Sequence, residues 1–194
     1  MAVISVLLGS LLFVTGLAHL HPKIDAWDRR AFFSLNHSVA GKGALRLFRI
    51  LWPLGTTPTA LVLLALALVP GIRFYLVILL SYVSAVTIER LVKMSFKRPR
   101  PFMELSGIAM LQPRQPADPS FPSGDALRAW FLAIALTGSF HATGWWFVAA
   151  GVLAFLITLG RVALGVHYPL DALGGAGLGL LFAGLSLLLI SGSF

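Results

Sequence analysis

Six apolar segments make up most of the chain, and they restrict its fold more than any other feature of the sequence. A helix needs about 20 apolar residues to cross a bilayer, and within lipid every backbone polar group must be paired inside the protein. The fourth and fifth segments are short by this rule and reach it by including loop residues. The sequence therefore predicts an all-α integral membrane protein with six transmembrane helices, at approximately residues 2–20, 51–69, 72–91, 125–140, 145–159 and 170–190.

The charge content agrees with a membrane protein. Only 11% of the 194 residues are charged and 58% are hydrophobic, whereas about 25% of the residues in a soluble domain are charged. The absence of cysteine from the sequence excludes disulfides and thiolate metal sites. The formal net charge of +8 fits a membrane surface or an anionic ligand. We expect no nucleic-acid partner, because no soluble basic domain is available to bind one.

The polar residues between the apolar segments form two long stretches. Residues 21–50 contain IDAWDRRAFFSLNHS and KGALRLFRIL, in which Arg and Lys alternate with Trp, Phe and Leu. This pattern is typical of amphipathic helices that lie along the membrane interface, here between the first and second spans. Residues 93–124 are rich in proline and predict a loop, in which we interpret Glu104 and Asp118 as solvated. Neither a repeat nor a low-complexity tract divides the chain, so we expect a single domain over residues 1–194.

The candidate catalytic and binding residues cluster at four of the predicted helix ends. When six helices alternate in direction, the end of the third, the start of the fourth, the end of the fifth and the start of the sixth lie on one face of the membrane. Ionisable residues at membrane depth are costly and usually functional, so the sequence predicts one site at this face. The residues that meet there are Lys93, Arg100, Ser123, Gly124, Asp125, Arg161, His167 and Asp171.

This set of groups suits phosphoryl transfer, in which positioning and charge stabilisation supply most of the catalysis. Lys93 and Arg100 would hold phosphate oxygens, since a guanidinium group matches them with two hydrogen bonds. His167 lies just before the sixth helix, which begins near Pro169, and Asp171 lies just inside it. We expect the Asp171 carboxylate to reach one ring nitrogen of His167 and to leave the other free to attack phosphorus. Such chemistry needs no metal, and we expect no cofactor.

Three motifs together resemble the type 2 phosphatidic acid phosphatase superfamily of membrane lipid phosphatases, whose fold is shared with the vanadium haloperoxidases. The first motif, Lys followed after six residues by Arg-Pro, matches residues 93–101. The second, Pro-Ser-Gly-His, matches residues 122–124, and Asp125 stands in place of the histidine. The third, Ser-Arg, five residues, His, three residues and Asp, matches residues 161–171, with Gly160 in place of the serine. The motifs follow the family order, so the resemblance extends over most of the chain.

The resemblance implies a role for each matching residue. His167 is the expected nucleophile, and Asp171 is its orienting partner. In the family, the histidine of the second motif protonates the leaving alkoxide, so this role does not transfer unchanged to Asp125. The residues expected to bind the substrate phosphate are Lys93, Arg100, Ser123, Gly124 and Arg161.

Three interpretations of Asp125 are open. The carboxyl group could replace histidine as the general acid, which requires that burial or nearby negative charge raise its pKa. Alternatively, the substrate has a good leaving group that needs little protonation, such as the phosphate expelled from a lipid diphosphate. In the third interpretation, hydrolysis is impaired, although the other motif residues are intact. Taken alone, Asp125 with Arg128 one turn later would be an ordinary helix-capping pair.

The site residues predict a membrane lipid phosphatase that forms a phosphohistidine intermediate. The expected substrate is a phosphomonoester or diphosphate of a lipid: an isoprenyl diphosphate or monophosphate, phosphatidic acid or phosphatidylglycerophosphate. A lipid phosphotransferase that uses the same site is one alternative. A non-catalytic lipid-binding or transport protein on this scaffold is an alternative of another class.

The charge distribution and the resemblance disagree on the orientation in the membrane. All Lys and Arg residues except Arg73 lie on the predicted catalytic face or its flanking loops, and the positive-inside rule would place this face in the cytoplasm. Bacterial members of the resembling family usually act on the outer face of the inner membrane. We follow the resemblance and expect a multi-pass inner-membrane protein with its active site on the outer face. The charge bias does not oppose this orientation, because a cationic rim that collects anionic lipid would produce the same bias.

Overall fold

Helices provide the regular structure of the protein in the computed structural model, which describes residues 1–38, 42–108, 110–142 and 144–192. Within these ranges no strand occurs. The helices of the described ranges are α1 (Ala2–Leu17), α2 (Pro22–Ser38), α3 (Lys42–Leu51), α4 (Thr57–Ala65), α5 (Ile72–Phe96), α6 (Pro101–Glu104), α7 (Gly124–Ser139), α8 (Trp145–Ala163) and α9 (Pro169–Ser191). Short 3₁₀ turns at Ala18–Leu20, Trp52–Gly55 and Leu66–Leu68 extend or join them. The predicted all-α fold class is confirmed.

Six of these helices correspond to the six predicted apolar segments: α1, α4, α5, α7, α8 and α9. In the described part of the chain, the elements long and apolar enough to cross a membrane alone are Ala2–Leu20, Ile72–Glu104, Trp145–Ala163 and Pro169–Ser191. The bent pair Gly43–Gly55 and Thr57–Leu68 adds a fifth span when it is counted as one. Helix α7 has 16 residues and is about 24 Å long at 1.5 Å per residue. It is therefore shorter than the ~30 Å hydrocarbon core, as its sequence predicted.

The second predicted segment is broken rather than straight. Residues 51–55 belong to the end of α3 and to a 3₁₀ turn, and the chain bends by 59° before α4. Pro53 and Pro58 lack the amide hydrogen that a continuous helix needs. The turn packs closely on α7, as the space around Gly55 shows: a Cβ there would lie only 3.0 Å from Asp125 Cβ.

Helix α9 lies at the centre of the bundle, and its small residues let two neighbours approach its backbone. A Cβ at Gly177 would lie 2.4 Å from the backbone nitrogen of Phe13 in α1. A Cβ at Gly179 would lie 2.4 Å from the carbonyl oxygen of Leu127 in α7. Such small residues allow close helix packing in membranes, so α9 is held tightly between α1 and α7.

The starts of α7 and α9 meet at one point. The N–H of Ser123, which is the N-cap of α7, donates to the carbonyl oxygen of Asp171 in the first turn of α9 at 2.9 Å. A Cβ at Gly175 would lie 2.1 Å from the carbonyl oxygen of Ser123. Helix α9 begins at Pro169, as predicted, and Tyr168 is its N-cap. These contacts fix the positions of the second and third motifs relative to each other.

The two helices predicted at the membrane interface cover this meeting point. Helix α2 turns Asp28, Phe32 and Asn36 inward along one face. Phe32 packs edge to face on Tyr168, with ring centroids 5.5 Å apart. In α3, Phe48 is buried against the C-terminal end of α8. The amphipathic segments therefore pack on the site as well as presenting polar residues outward.

Candidate active site

Two of the predicted phosphate ligands lie side by side between α5 and the loop that precedes α7. Lys93 is buried, and its ammonium group lies 3.0 Å from Glu89 Oε1 and also pairs with Asp118 Oδ2. Arg100 is buried as well, and its Nη2 lies 2.8 Å from Asp118 Oδ1. Burial alone would raise the pKa of the Asp118 carboxyl group, but the charges of Lys93 and Arg100 hold it well below its usual range. Asp118 is thus a bridge between two cations; its side chain is exposed, as expected of a solvated loop residue, but it also makes two ion pairs that the sequence did not indicate.

The hydrogen bonds of Arg100 determine which nitrogen of His167 carries the proton. Nη1 of Arg100 donates to the carbonyl oxygen of Val166 at 2.9 Å and to His167 Nε2 at 3.1 Å. A guanidinium group only donates, so Nε2 accepts and the ring proton resides on Nδ1. The Nε2 lone pair therefore points at the Arg100 guanidinium group, next to the Lys93 ion pairs.

A serine outside the three motifs lies between His167 and Asp171. His167 Nδ1 and Asp171 Oδ2 are 3.8 Å apart, which allows electrostatic attraction but is longer than a hydrogen bond. Ser120 Oγ donates to Asp171 Oδ2 at 2.5 Å and lies 3.4 Å from His167 Nδ1. The carboxylate therefore reaches the ring through a serine hydroxyl group, and not by the direct hydrogen bond that the sequence suggested.

The surroundings of His167 favour the neutral ring. The side chain is almost completely enclosed, with 3% of the residue exposed. Burial, and next the positive charge of Arg100, lower the pKa of the imidazole to about 4, although Asp171 opposes the shift. An imidazole with this pKa is unprotonated on one nitrogen at pH 7, which is the form that a nucleophile requires.

Arg98 holds Asp171 from the opposite side. Its Nη1 lies 2.6 Å from Asp171 Oδ1, and its Nη2 lies 2.6 Å from Asp25 Oδ1 and 2.8 Å from Asp28 Oδ2. The guanidinium group also lies over the ring of Tyr168, 4.2 Å from its centroid. Arg98 is buried, so an arginine that the motif spacing does not include fixes the carboxylate beside the histidine.

Helix α2 supplies the carboxylates that balance Arg98. Asp25 and Asp28 are three residues apart and so share one face of the helix. Asp28 is fully buried, and its Oδ1 accepts the N–H of Leu170 at the start of α9 at 3.0 Å. Burial raises the pKa of Asp28 to about 6 in spite of Arg98. The spacing of the two aspartates in IDAWDRR was a signal for an inward face, but the partner became evident only from the fold.

Asp125 is held between two arginines. Its Oδ1 lies 2.5 Å from Arg128 Nη2, and its Oδ2 lies 2.8 Å from Arg161 Nη1. Nε of Arg128 donates to the carbonyl oxygen of Gly55 at 2.8 Å, which secures the pair against the bend before α4. Arg128, one helical turn after Asp125, is the partner expected of an ordinary capping pair. The second partner, Arg161, belongs to α8 and is not explained by capping. With a guanidinium group at each oxygen, this carboxylate accepts hydrogen bonds and has no proton to donate.

Arg161 is 1% exposed, and both terminal nitrogens of its guanidinium group have acceptors. Besides its ion pair with Asp125, Nη1 donates to Gln112 Oε1 at 3.0 Å and Nη2 donates to the carbonyl oxygen of Trp52 at 2.9 Å. Among the described residues, Nε has no hydrogen-bond partner. A buried N–H without an acceptor costs about 1–3 kcal/mol, so Arg161 has one hydrogen-bond donor that its described neighbours do not satisfy.

The two groups of charges meet at the start of α7. Ser123 is fully buried and caps this helix with a hydrogen bond of 3.4 Å to an amide of the first turn. A Cβ at Gly124 would lie 2.6 Å from Glu89 Oε1 and 3.2 Å from Arg128 Nη1, so the glycine admits both side chains. Glu89 also pairs with Lys93, and the predicted site residues therefore form one continuous polar region. No group of three or more His, Asp or Glu side chains in the described ranges could hold a metal ion.

Comparison with known sequences identifies a family and two curated relatives. Residues 74–193 match the PAP2 superfamily. An undecaprenyl-diphosphatase of Sulfolobus acidocaldarius is 32% identical over 98 residues, which are 50% of this chain and 46% of that protein. The bacitracin transport permease protein BcrC of Bacillus licheniformis is 36% identical over 84 residues, which are 43% of this chain and 39% of that protein. The chain thus matches less than half the length of each of these relatives.

Two solved structures share the helix arrangement. One is a transmembrane PAP2-type phosphatidylglycerolphosphate phosphatase from Bacillus subtilis, with a TM-score of 0.78 and 22% identity over 98% of this chain and 97% of that chain. The other is Aquifex aeolicus LpxE, with a TM-score of 0.72 and 26% identity over 81% of this chain and 93% of that chain. The fold of this protein is therefore that of known membrane proteins, and the first likeness extends over nearly the whole chain.

Proposed function

The chain belongs to the PAP2 superfamily, and on this premise we propose that it is a membrane phosphatase that removes the terminal phosphate of a lipid diphosphate. One observation carries the proposal: the unprotonated Nε2 of buried His167 lies 3.1 Å from Arg100, which shares Asp118 with a second buried cation, Lys93. A neutral nucleophile beside two preorganised cations suits attack on a phosphate, whose charge the cations stabilise.

In the first step, Lys93 and Arg100 bind oxygens of the terminal phosphate, and Nε2 of His167 attacks its phosphorus. The bond between phosphorus and the bridging oxygen breaks, and the lipid monophosphate leaves with that oxygen and the electron pair. The ring keeps its proton on Nδ1 and becomes positively charged. Asp171 stabilises this charge through the hydroxyl group of Ser120, which donates to the carboxylate at 2.5 Å.

In the second step, water attacks the phosphorus and the bond to Nε2 breaks. The electron pair returns to Nε2, the water oxygen remains on phosphorus, and the proton that water loses ends on the released phosphate. His167 is regenerated as the neutral Nδ1–H tautomer. Transfer to another lipid hydroxyl group would follow the same course with a different acceptor, so analysis of the products distinguishes hydrolysis from phosphotransfer.

Further groups complete the proposed phosphate site. Arg161 has one N–H without a partner among the described residues. Ser123 and Gly124 lie at the N-terminus of α7, where backbone N–H groups and the helix dipole favour anions. A diphosphate has enough oxygens to bind both here and at Lys93 and Arg100, which supports a substrate with two phosphate groups.

The preference for a diphosphate over a monoester follows from Asp125. The histidine that family members have at this position protonates a leaving alkoxide, but the carboxylate of Asp125 is paired with Arg128 and Arg161 and offers no proton. An alkoxide is a poor leaving group without a proton, whereas a phosphate leaves readily as an anion. This pairing supports the second of the three interpretations, in which the substrate needs little protonation. One curated relative is, by its name, a diphosphatase of a lipid of this kind.

Phosphate release from a panel of lipids by the purified full-length protein tests the proposal. The panel contains an isoprenyl diphosphate, the matching monophosphate, phosphatidic acid and phosphatidylglycerophosphate. We expect the diphosphate to be hydrolysed about 100-fold faster than the monoesters, because a missing general acid costs a monoester about that factor or more. Equal rates on diphosphate and monoester would overturn the substrate assignment.

The variant His167→Ala separates an enzyme from a lipid-binding protein. We expect it to release no phosphate from any member of the panel while it still binds the lipids. If this variant retains turnover, His167 is not the nucleophile, and if the unmodified protein binds the lipids but hydrolyses none of them, the chain is a binding or transport protein.

A further inference from the structure

We infer that Asp118 is a specificity-determining residue whose carboxylate occupies the phosphate site of the substrate-free protein and excludes singly charged phosphodiesters. This inference rests on the proposed roles of Lys93 and Arg100 as ligands of the substrate phosphate. It assigns to an aspartate outside all three motifs the position that a phosphate oxygen takes in the complex.

The geometry of Asp118 is that of an exchangeable anion. Its two carboxylate oxygens bind separate cations: Oδ2 pairs with Lys93 Nζ, and Oδ1 lies 2.8 Å from Arg100 Nη2. The side chains of Lys93 and Arg100 are 7% and 3% exposed, whereas that of Asp118 is 53% exposed. The cations are therefore built into the protein, while the carboxylate approaches them from the open side, as a substrate must.

The charge balance makes Asp118 and a phosphate mutually exclusive. Lys93 also pairs with Glu89 at 3.0 Å, so Lys93, Arg100, Glu89 and Asp118 together carry no net charge. A phosphate that entered while Asp118 stayed would meet its carboxylate as a nearby like charge. When the carboxylate leaves, the remaining groups carry one positive charge, which attracts the phosphate.

The backbone around Asp118 allows the side chain to leave without detaching the loop. The carbonyl oxygen of Asp118 accepts a separate hydrogen bond from Arg100 Nε at 2.7 Å. Two residues later, the N–H of Ser120 donates to the carbonyl oxygen of Arg98 at 2.8 Å. Pro119 lies between these two anchors and restricts the backbone on both sides. Rotation of the Asp118 side chain is therefore sufficient to open the site.

Displacement of the carboxylate selects by charge. Every incoming anion bears the same cost of separating Asp118 from Lys93 and Arg100. A terminal phosphate carries about −1.5 to −2 charges at neutral pH, and its stronger attraction to the two cations offsets this cost. A phosphodiester carries only one negative charge, the same as the carboxylate that it would replace, so it gains no attraction from the exchange. Phosphodiester headgroups are the common anions of a bilayer, so Asp118 keeps them from occupying the site and leaves it available to lipids with a terminal phosphate.

The experiment measures binding of inorganic phosphate to the full-length protein in detergent by isothermal titration calorimetry. We expect Asp118→Asn to bind phosphate about twofold to thirtyfold more tightly than the unmodified protein, because the variant loses two partly exposed ion pairs, each of which is weak. Glu104→Gln is the matched control, since Glu104, at the end of α6, is also a partly exposed carboxylate but pairs with Arg29 instead. This control should leave the affinity unchanged. Where Asp118→Asn does not fold, Asp118→Ser removes the same charge.

Dimethyl phosphate, a singly charged diester, gives the second readout. It should bind measurably to Asp118→Asn at concentrations at which the unmodified protein binds none. Weaker or equal phosphate binding by the variant, or an equal gain in the Glu104→Gln control, would overturn the inference. Because these measurements need no turnover, they remain valid if the lipid panel shows that the protein is not a phosphatase, and the two proposals fail separately.

Discussion

At the scale of single residues, position 125 separates this protein from the motif that it otherwise matches. The carboxylate of Asp125 neutralises two arginines, one of which, Arg161, is a proposed phosphate ligand. In the proposed reaction, the same residue therefore offers no proton to the leaving group and offsets part of the positive charge that Arg161 would offer to the phosphate. The first effect handicaps a monoester more than a diphosphate, whose leaving group needs no proton.

The substitution Asp125→His restores the proton donor. We expect hydrolysis of a lipid monophosphate to rise by about 100-fold, the usual contribution of a general acid, while hydrolysis of the diphosphate changes little. Phosphate release from both lipids measures the effect. Asp125→Asn, which removes the charge without adding a proton donor, is the control and should not raise monoester hydrolysis. Equal gains on both substrates would count against the proposed leaving-group preference.

The protonation of His167 is a second prediction at this scale. Burial and Arg100 lower its pKa to about 4, so the ring stays neutral as the pH falls from 7 to 5 and becomes protonated only below that range. Imidazole ¹⁵N NMR of labelled protein, with His167→Asn to assign the signal among the five histidines, measures both the midpoint and the tautomer. We expect titration near pH 4 and a proton on Nδ1 at pH 7. A midpoint near 6.5, or a proton on Nε2, would contradict the geometry described here.

The site residues that belong to the three motifs could be predicted from the sequence, but the residues that hydrogen-bond to them and hold them in place could not. Lys93, Arg100, His167 and Asp171 lie together in the fold, as the parity of the helices implied. Ser120 bonds to Asp171 across 51 residues of sequence, and nothing local to SFPSG indicates that partner. Contacts of this kind depend on how distant helices pack, which a single sequence does not encode in a readable pattern.

At the scale of elements, the site depends on how closely α9 approaches the start of α7. A Cβ at Gly175 would lie 2.1 Å from the carbonyl oxygen of Ser123. This contact is with backbone, which cannot yield by changing a rotamer. The distance between the second and third motifs is therefore set by a residue that has no functional group.

We expect Gly175→Ala to separate these helix starts, to lower stability by about 1–3 kcal/mol as overpacking does, and to reduce turnover strongly. Gly151→Ala in α8 is the matched control, because a Cβ there meets nothing within 4 Å, and it should behave like the unmodified protein. Thermal unfolding and phosphate release measure the two effects. Full activity in Gly175→Ala would show that the catalytic geometry tolerates a shift of α9.

Apolar length predicted the helices well but not the break in the second one. The signals were present in Pro53, Gly55 and Pro58, yet an apolar run that continues through them resembles one span. The amphipathic pattern of α2 predicted an interfacial helix, but it did not reveal that Asp28 is fully buried against Arg98 and Leu170. A helix face is identified by its periodicity, whereas the group that it meets is decided by the packing of the whole bundle.

At the scale of the whole molecule, the predicted topology concentrates the cations on the face that carries the site. Several of them are internal, since Lys93, Arg98, Arg100 and Arg161 are buried in ion pairs. Charges used in this way bind carboxylates or substrate, so they do not report membrane topology in the way that exposed loop residues do. We propose, as the family resemblance implies, that the site faces outward from an inner membrane and that the other cations of this face form a rim that collects anionic lipid.

Single-cysteine variants test this orientation, and the sequence contains no native cysteine that would interfere. We expect Gly43→Cys, next to the catalytic face, to react with a membrane-impermeant maleimide in intact cells. Ala142→Cys, in the turn between α7 and α8, should react only after the cells are opened. The reverse pattern would show that the active site faces the cytoplasm and that the positive-inside rule holds.

The central claim, attack by His167 on a terminal phosphate, is tested most directly by trapping the intermediate. The purified protein is mixed with an isoprenyl diphosphate labelled with ³²P at the terminal phosphate, quenched in alkali within milliseconds, and digested for peptide mapping. We predict base-stable, acid-labile label on the peptide that contains His167, and none in His167→Ala. Rapid phosphate release with no label on any peptide, or label that persists in His167→Ala, would contradict the account.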